Sequence, residues 1–158
     1  MTTVSHTADT AAYMEKFLLL LSDGEKQSLP VLGSSMAPFL VHQRDRVMLA
    51  RVDRPVRVGD ICLYRRDSGA YILHRVCRVA KDGTCTMVGD AHTVTEPGIR
   101  PEQILAVAVS VCRKGREERP GTLPWVFFAN IWPRIIPLRP AVLRLYTFLT
   151  KPFRRSHT

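Results

Sequence analysis

Cysteine is scarce in this chain of 158 residues: only Cys62, Cys77, Cys85 and Cys112 are present. No two of them form a CxxC pair, which argues against a thiolate zinc site, and four spread-out thiols do not make a disulfide scaffold. Each stands in a strand-like apolar run, where a free Cys behaves as a small buried hydrophobe. Long hydrophobic runs are missing too. Phe17–Leu21 is five apolar residues closed by Ser22-Asp23-Gly24, far short of the ~20 that span a bilayer. Residues 1–13 lack the basic start and apolar core of a signal peptide, so none is expected. Internal repeats and low-complexity tracts are absent.

Acid is missing from one end. Residues 1–112 hold 13 basic and 12 acidic side chains, whereas residues 113–158 hold 10 and 2, with no acid after Glu118. The formal charge of +9 therefore belongs almost entirely to the tail. With 46% apolar and 23% charged residues the composition is otherwise ordinary for a globular chain, and the length suits one domain with an appendage.

Hydrophobic periodicity predicts one helix over 9–22, where Ala11, Ala12, Met14, Phe17, Leu18 and Leu21 share a face. From Leu29 to Cys112 the pattern changes to short β-branched runs: Arg46–Arg51, Asp60–Arg65, Tyr71–Val79, Thr84–Val88 and Ile104–Cys112. Asp53-Arg54-Pro55, Asp67-Ser68-Gly69, Asp82-Gly83 and Pro97-Gly98 separate them. Five strands with almost no helix between them predict a mainly antiparallel β body. Three segments follow: a helical 1–28, a β body 29–112 and a helical, basic, aromatic tail 113–158.

The chemistry begins at Leu32-Gly33-Ser34-Ser35-Met36-Ala37-Pro38. Two serines behind a glycine on a turn can present a hydroxyl and backbone N–H groups together, as a nucleophile with an oxyanion hole requires. Alone, Gly-Ser-Ser is usually just a turn. His74 is the only histidine in a strand-like run, and histidine titrates where a serine needs a base.

The order Gly33-Ser34-Ser35-Met36-Ala37-Pro38, Arg44-Asp45-Arg46-Val47, Val58-Gly59-Asp60-Ile61, Ile72-Leu73-His74-Arg75-Val76 and Gly89-Asp90 resembles the type I signal peptidase and LexA-like serine peptidase superfamily. The similarity covers residues 29–112 and is to the endoplasmic-reticulum-type branch, which pairs serine with histidine; position 74 carries no lysine. The resemblance implies a β-rich body with a shallow groove holding substrate as an extended strand. It implies Ser35 as nucleophile, His74 as general base, and Asp90 as the acid that orients His74, with Glu96 as the alternative. Gly33 stands where the family commonly has a serine whose hydroxyl joins the oxyanion hole. That role passes to the backbone N–H of Ser35, or to Ser34. The family's Gly-Asp-Asn-Asn segment reads Gly89-Asp90-Ala91-His92 here, and only the short helix precedes Leu29 where signal peptidases carry a membrane anchor.

The expected activity is a signal-peptidase-like serine endopeptidase acting on a peptide or precursor-protein leader, with no metal or organic cofactor. The alternatives are a cytoplasmic leader-processing protease and an inactive binding module that kept the fold. A LexA-like repressor is disfavoured, because 28 residues before Leu29 are too few for a helix-turn-helix domain. In the tail, Pro124, Pro133, Pro137 and Pro140 break helical continuity, and Arg134, Arg139 and Arg144 interrupt the apolar sequence. Trp125, Phe127, Phe128 and Trp132 among arginines suit either an anionic membrane surface, met through 123–155, or packing on the β body. The first predicts peripheral membrane attachment, the second a cytoplasmic protein. Nucleic acid is not an expected partner, since the apolar-proline character is unlike a solvated basic stripe.

Overall fold

In the computed structural model the described residues are 4–22 and 24–150. Helix α1, Val4–Ser22, begins earlier than its apolar periodicity predicts and buries Met14, Phe17 and Leu21. Eight strands follow: β1 Gln27–Pro30, β2 Arg46–Ala50, β3 Ile61–Arg65, β4 Tyr71–Val79, β5 Cys85–Val88, β6 Glu96–Ile99, β7 Ile104–Arg113 and β8 Arg116–Glu118. They form one antiparallel sheet in the order β1-β2-β7-β3-β4-β5-β6, with β8 also paired to β7. The five predicted strands are all present. The three that hydrophobic pattern did not signal are short. β6 reads Glu-Pro-Gly-Ile, and β8 lies within a charged stretch.

Alternation along the strands divides the interior in two. One cluster gathers Phe17, Val31, Met36, Phe39, Leu40, Val47, Leu49, Ile61, Leu63, Ala106 and Trp125. The other gathers Cys62, Tyr64, Val76, Cys85, Met87, Ile99, Ile104 and Val107. Neighbours in β4 therefore face different surroundings, as the two-residue period of a strand requires.

The tail is part of this body. Helix α2, Leu123–Val126, runs on through a π turn at Phe127–Ile131 and a 3₁₀ turn at Trp132–Arg134. Pro124 and Pro133 fall within the first two positions of their segments, where a missing N–H costs little, and a second 3₁₀ turn leads into α3, Arg139–Thr150. Trp125 and Trp132 are buried, and Phe39 meets the Trp125 ring edge-on at 6.1 Å and Phe128 at 4.8 Å. A Cβ at Gly59 would strike the Ala129 carbonyl, so glycine lets the tail lie flat on the turn before β3. The tryptophans thus pack inward and do not present themselves to a membrane; lysine and arginine beyond Thr150 lie outside the described residues. No helix among the described residues is long and apolar enough to cross a bilayer.

Candidate active site

Ser35 sits on the loop between β1 and β2. That loop is stapled at both ends: the Gln43 amide donates to the Val31 carbonyl, and the Val31 amide to the Asp45 carbonyl. Asp45 is buried and accepts from the Val41 and Lys114 amides and the Arg44 guanidinium. Met36, Phe39 and Leu40 plug the loop into the core, which leaves Gly33, Ser34 and half-buried Ser35 outward. The Gly33 amide donates to His42 Nδ1 at 2.9 Å, and the Ala37 amide to the Ser34 carbonyl. Among the described residues nothing takes the amides of Ser34 and Ser35, the two expected to hold an oxyanion.

His74 is in β4, opposite Cys62 of β3. It is 8% exposed. Its Nδ1 lies 3.4 Å from the Tyr64 hydroxyl, which donates to Glu96 Oε2 at 2.6 Å. With that proton committed to the carboxylate, the phenol oxygen is left to accept from His74 Nδ1–H, and Nε2 keeps its lone pair. Arg66 grips both Glu96 oxygens at 2.7 Å. The Arg66 contact holds Glu96 ionised, below the usual carboxylate range, against the opposing effect of partial burial. Burial, followed by the Glu96 hydrogen bond, pushes the Tyr64 hydroxyl up.

Asp90 is elsewhere. Arg75 follows His74 and points to the opposite face of the strand, where it donates to both Asp90 carboxylate oxygens at 2.8 and 2.7 Å and to the Gly59 carbonyl at 2.9 Å. Both partners are buried. The expected Asp90–His74 pairing is corrected on this ground: Asp90 is consumed by Arg75, the residue next to His74, and the carboxylate on the side of His74 is that of Glu96, reached through Tyr64. Tyr64 is not among the residues the motifs single out. Strand parity does signal it, because Tyr64 lies two residues from His74's partner Cys62 and so on the same face.

The turn after β5 joins these pieces. The Ala91 amide donates to the Ser35 carbonyl at 2.9 Å, which ties the serine loop directly to that turn. A Cβ on Gly89 would lie 2.6 Å from the Ser35 carbonyl oxygen, 2.9 Å from His92 Nδ1 and 3.2 Å from His74 Nε2. All three groups therefore converge on the space that glycine leaves empty. His92 stands edge-on to His74 with ring centroids 5.9 Å apart. Burial, then the nearby His92, lowers His74 to about 4, with Glu96 opposing. The histidine is neutral at neutral pH. No hydrogen bond joins the Ser35 hydroxyl to His74 among the described residues; it is the Ser35 carbonyl oxygen that lies beside Gly89 with His74 Nε2.

The tail completes the back of the site. The Trp132 indole donates to the Asp90 carbonyl at 2.9 Å. Arg139, fully buried, donates to the Gly89, His92 and Trp132 carbonyls. Neither residue was marked by motif; a buried arginine aimed at carbonyls has no local sequence signature.

Ser35, His74 and His92 line a cleft of about 590 Å³ whose walls are otherwise largely apolar, with Met14, Val31, Met36, Leu63 and Leu73 among them. Leu29 and Pro30 of the sheet-edge strand β1 line it on one side, and Tyr71, Ile72 and Leu73 on another. β5 pairs only with Arg75–Val79, so among the described residues Tyr71–His74 keeps one backbone edge unpaired. No group of three or more His, Cys, Asp or Glu side chains among the described residues is placed to hold a metal ion. Neither protein-family models nor the curated proteins contain a match to this chain.

Proposed function

We propose that the protein is a serine endopeptidase of the signal-peptidase-like type that cleaves a leader from a peptide or precursor protein. The observation that carries this reading is the convergence of the Ser35 loop and His74 Nε2 on the gap above Gly89, with His74 Nδ1 held by the Tyr64–Glu96 pair. Substrate enters extended, adding its backbone to the free edge of Tyr71–His74 or of β1 and its apolar side chains to the cleft. The Ser35 hydroxyl attacks the scissile carbonyl as its proton passes to His74 Nε2. The Ser34 and Ser35 amides receive the developing oxyanion, and the imidazolium then protonates the leaving amine. Glu96 stabilises that imidazolium through the Tyr64 hydroxyl and keeps the ring in the tautomer the reaction needs. Water, with His74 again as base, releases the acyl group.

A fluorophosphonate probe tests the nucleophile directly, since it labels a serine only when a base activates it. The wild-type chain is expected to be labelled and Ser35→Ala to be blank. An unlabelled wild type, or equal labelling of the variant, overturns the proposal and leaves a binding module.

A further inference from the structure

The turns from Leu123 to Arg134 are apolar on both sides. Trp125, Phe128 and Trp132 fill the inward row, while Leu123, Val126, Phe127 and Ile131 form the outward one. These positions alternate at the three- and four-residue spacing that puts them on opposite faces. Helices that are hydrophobic all round are normally covered all round, yet Leu123 is 86% exposed and Ile131 48%. The same character continues into α3, where Leu145 and Phe148 are 60% and 77% exposed.

We propose that residues 123–148 are a docking surface for an anionic lipid bilayer, with the outward apolar row inserted shallowly. Charge identifies the partner. From Leu123 onward the sequence carries Arg134, Arg139, Arg144, Lys151, Arg154 and Arg155 and no Asp or Glu. Of these Arg139 is buried, bonded to carbonyls inside the protein, while Arg134, which also donates to the Asn130 carbonyl, and Arg144 are exposed. A surface of large apolar side chains interleaved with cations alone meets its complement in acyl chains beneath anionic headgroups. A second copy of this chain would bring like charge against like.

The occupant is one of the two the sequence offers; the side chains that enter it are Leu123, Phe127, Ile131, Leu145 and Phe148, and not the buried tryptophans. Attachment does not depend on peptidase activity and is read without it. The full chain is sedimented with phosphatidylcholine vesicles and with mixed phosphatidylcholine–phosphatidylglycerol vesicles, at low and high salt. The wild type is expected in the pellet with the mixed vesicles at low salt, and in the supernatant with phosphatidylcholine alone. Leu145→Glu/Phe148→Glu is expected to weaken partitioning at least about tenfold by removing apolar contact and adding repulsion. Far-UV circular dichroism checks that the variant is folded. Should it not be, Leu123→Glu, at the most exposed site of the row, gives the deciding comparison. A wild type that stays in the supernatant with mixed vesicles overturns the proposal, as does a folded variant that binds unchanged. So does a lipid-free dimer, seen by light scattering, that the same substitutions dissolve, for then the face is covered by another copy.

Discussion

At the residue scale, a histidine lowered from 6.5 to about 4 is neutral across a range where its ordinary counterpart would be charged. As the proposed base, His74 stays competent as pH falls, so the acid limb of kcat/KM is expected below pH 5, near about 4. Stability runs the other way. Between pH 6.5 and about 4 the unfolded chain takes up a proton that folded His74 refuses, so the residue destabilises the fold increasingly as pH falls through that window and by a constant amount below it. A pH–rate profile and a pH series of denaturant midpoints check the two limbs separately; an acid limb near 6.5 would refute the first. The two acids are expected to separate as well. Glu96→Gln should lower kcat/KM at least about tenfold by weakening support of the imidazolium. Asp90→Asn should destabilise the fold by about 3–5 kcal/mol, because it leaves Arg75 buried without its counter-charge. Thermal melts and steady-state rates measured on both variants distinguish the roles. The turn that carries Ser35 and the strand that carries His74 were legible from their local residue types. Which of Asp90 and Glu96 lies on the side of His74 was not, because Gly89-Asp90 is a sequence step, whereas facing His74 is a matter of which side of β4 a residue reaches.

At the element scale, the site depends on the turn between β5 and β6, and that turn is held from behind. Arg139 of α3 donates to the Gly89 and His92 carbonyls, while Trp132 secures that of Asp90. Arg139→Met preserves bulk and removes the donors. The expected result is a loss of about 2–4 kcal/mol, from carbonyls left buried without partners, together with a kcat/KM reduced more than tenfold, by about the factor that misplacing reacting groups brings. Arg139→Lys, which keeps the charge but not the fork, should recover part of the stability and little of the rate. Denaturant titration and substrate kinetics check both; a variant equally destabilised yet fully active would show that the clamp does not position the turn. The strands were readable from β-branched runs between turn residues. β1, β6 and β8 were not, since each is only three or four residues long and takes its conformation from the neighbour it pairs with.

At the scale of the whole molecule, residues 113–158 read as an appendage because charge and proline set them apart, but burial of Trp125 and Trp132 joins the described part of that stretch to the body. Phe39 and Arg75 lie beneath Phe128, and Trp132 rests against Asp90. Removing a buried tryptophan or phenylalanine costs about 3–5 kcal/mol, and Trp125, Phe128 and Trp132 together exceed what many domains have in reserve. A chain ending at Arg119 is therefore expected not to fold; circular dichroism and the loss of a cooperative melt are the measurements, and a cooperatively folded truncation would contradict the packing described here.

If the proposed peptidase takes its substrate along β4, the half-paired stretch of that strand has a consequence for what it could act upon. A backbone edge accepts only another backbone laid out straight, with its own amides free. Helices and the inner strands of sheets have already spent theirs. On the proposed reading, Tyr71–His74 would favour a segment still without structure of its own over one already folded. Timing would then select the substrate alongside the residues around the cleaved bond, and a leader would be open to removal only for as long as it stays unstructured.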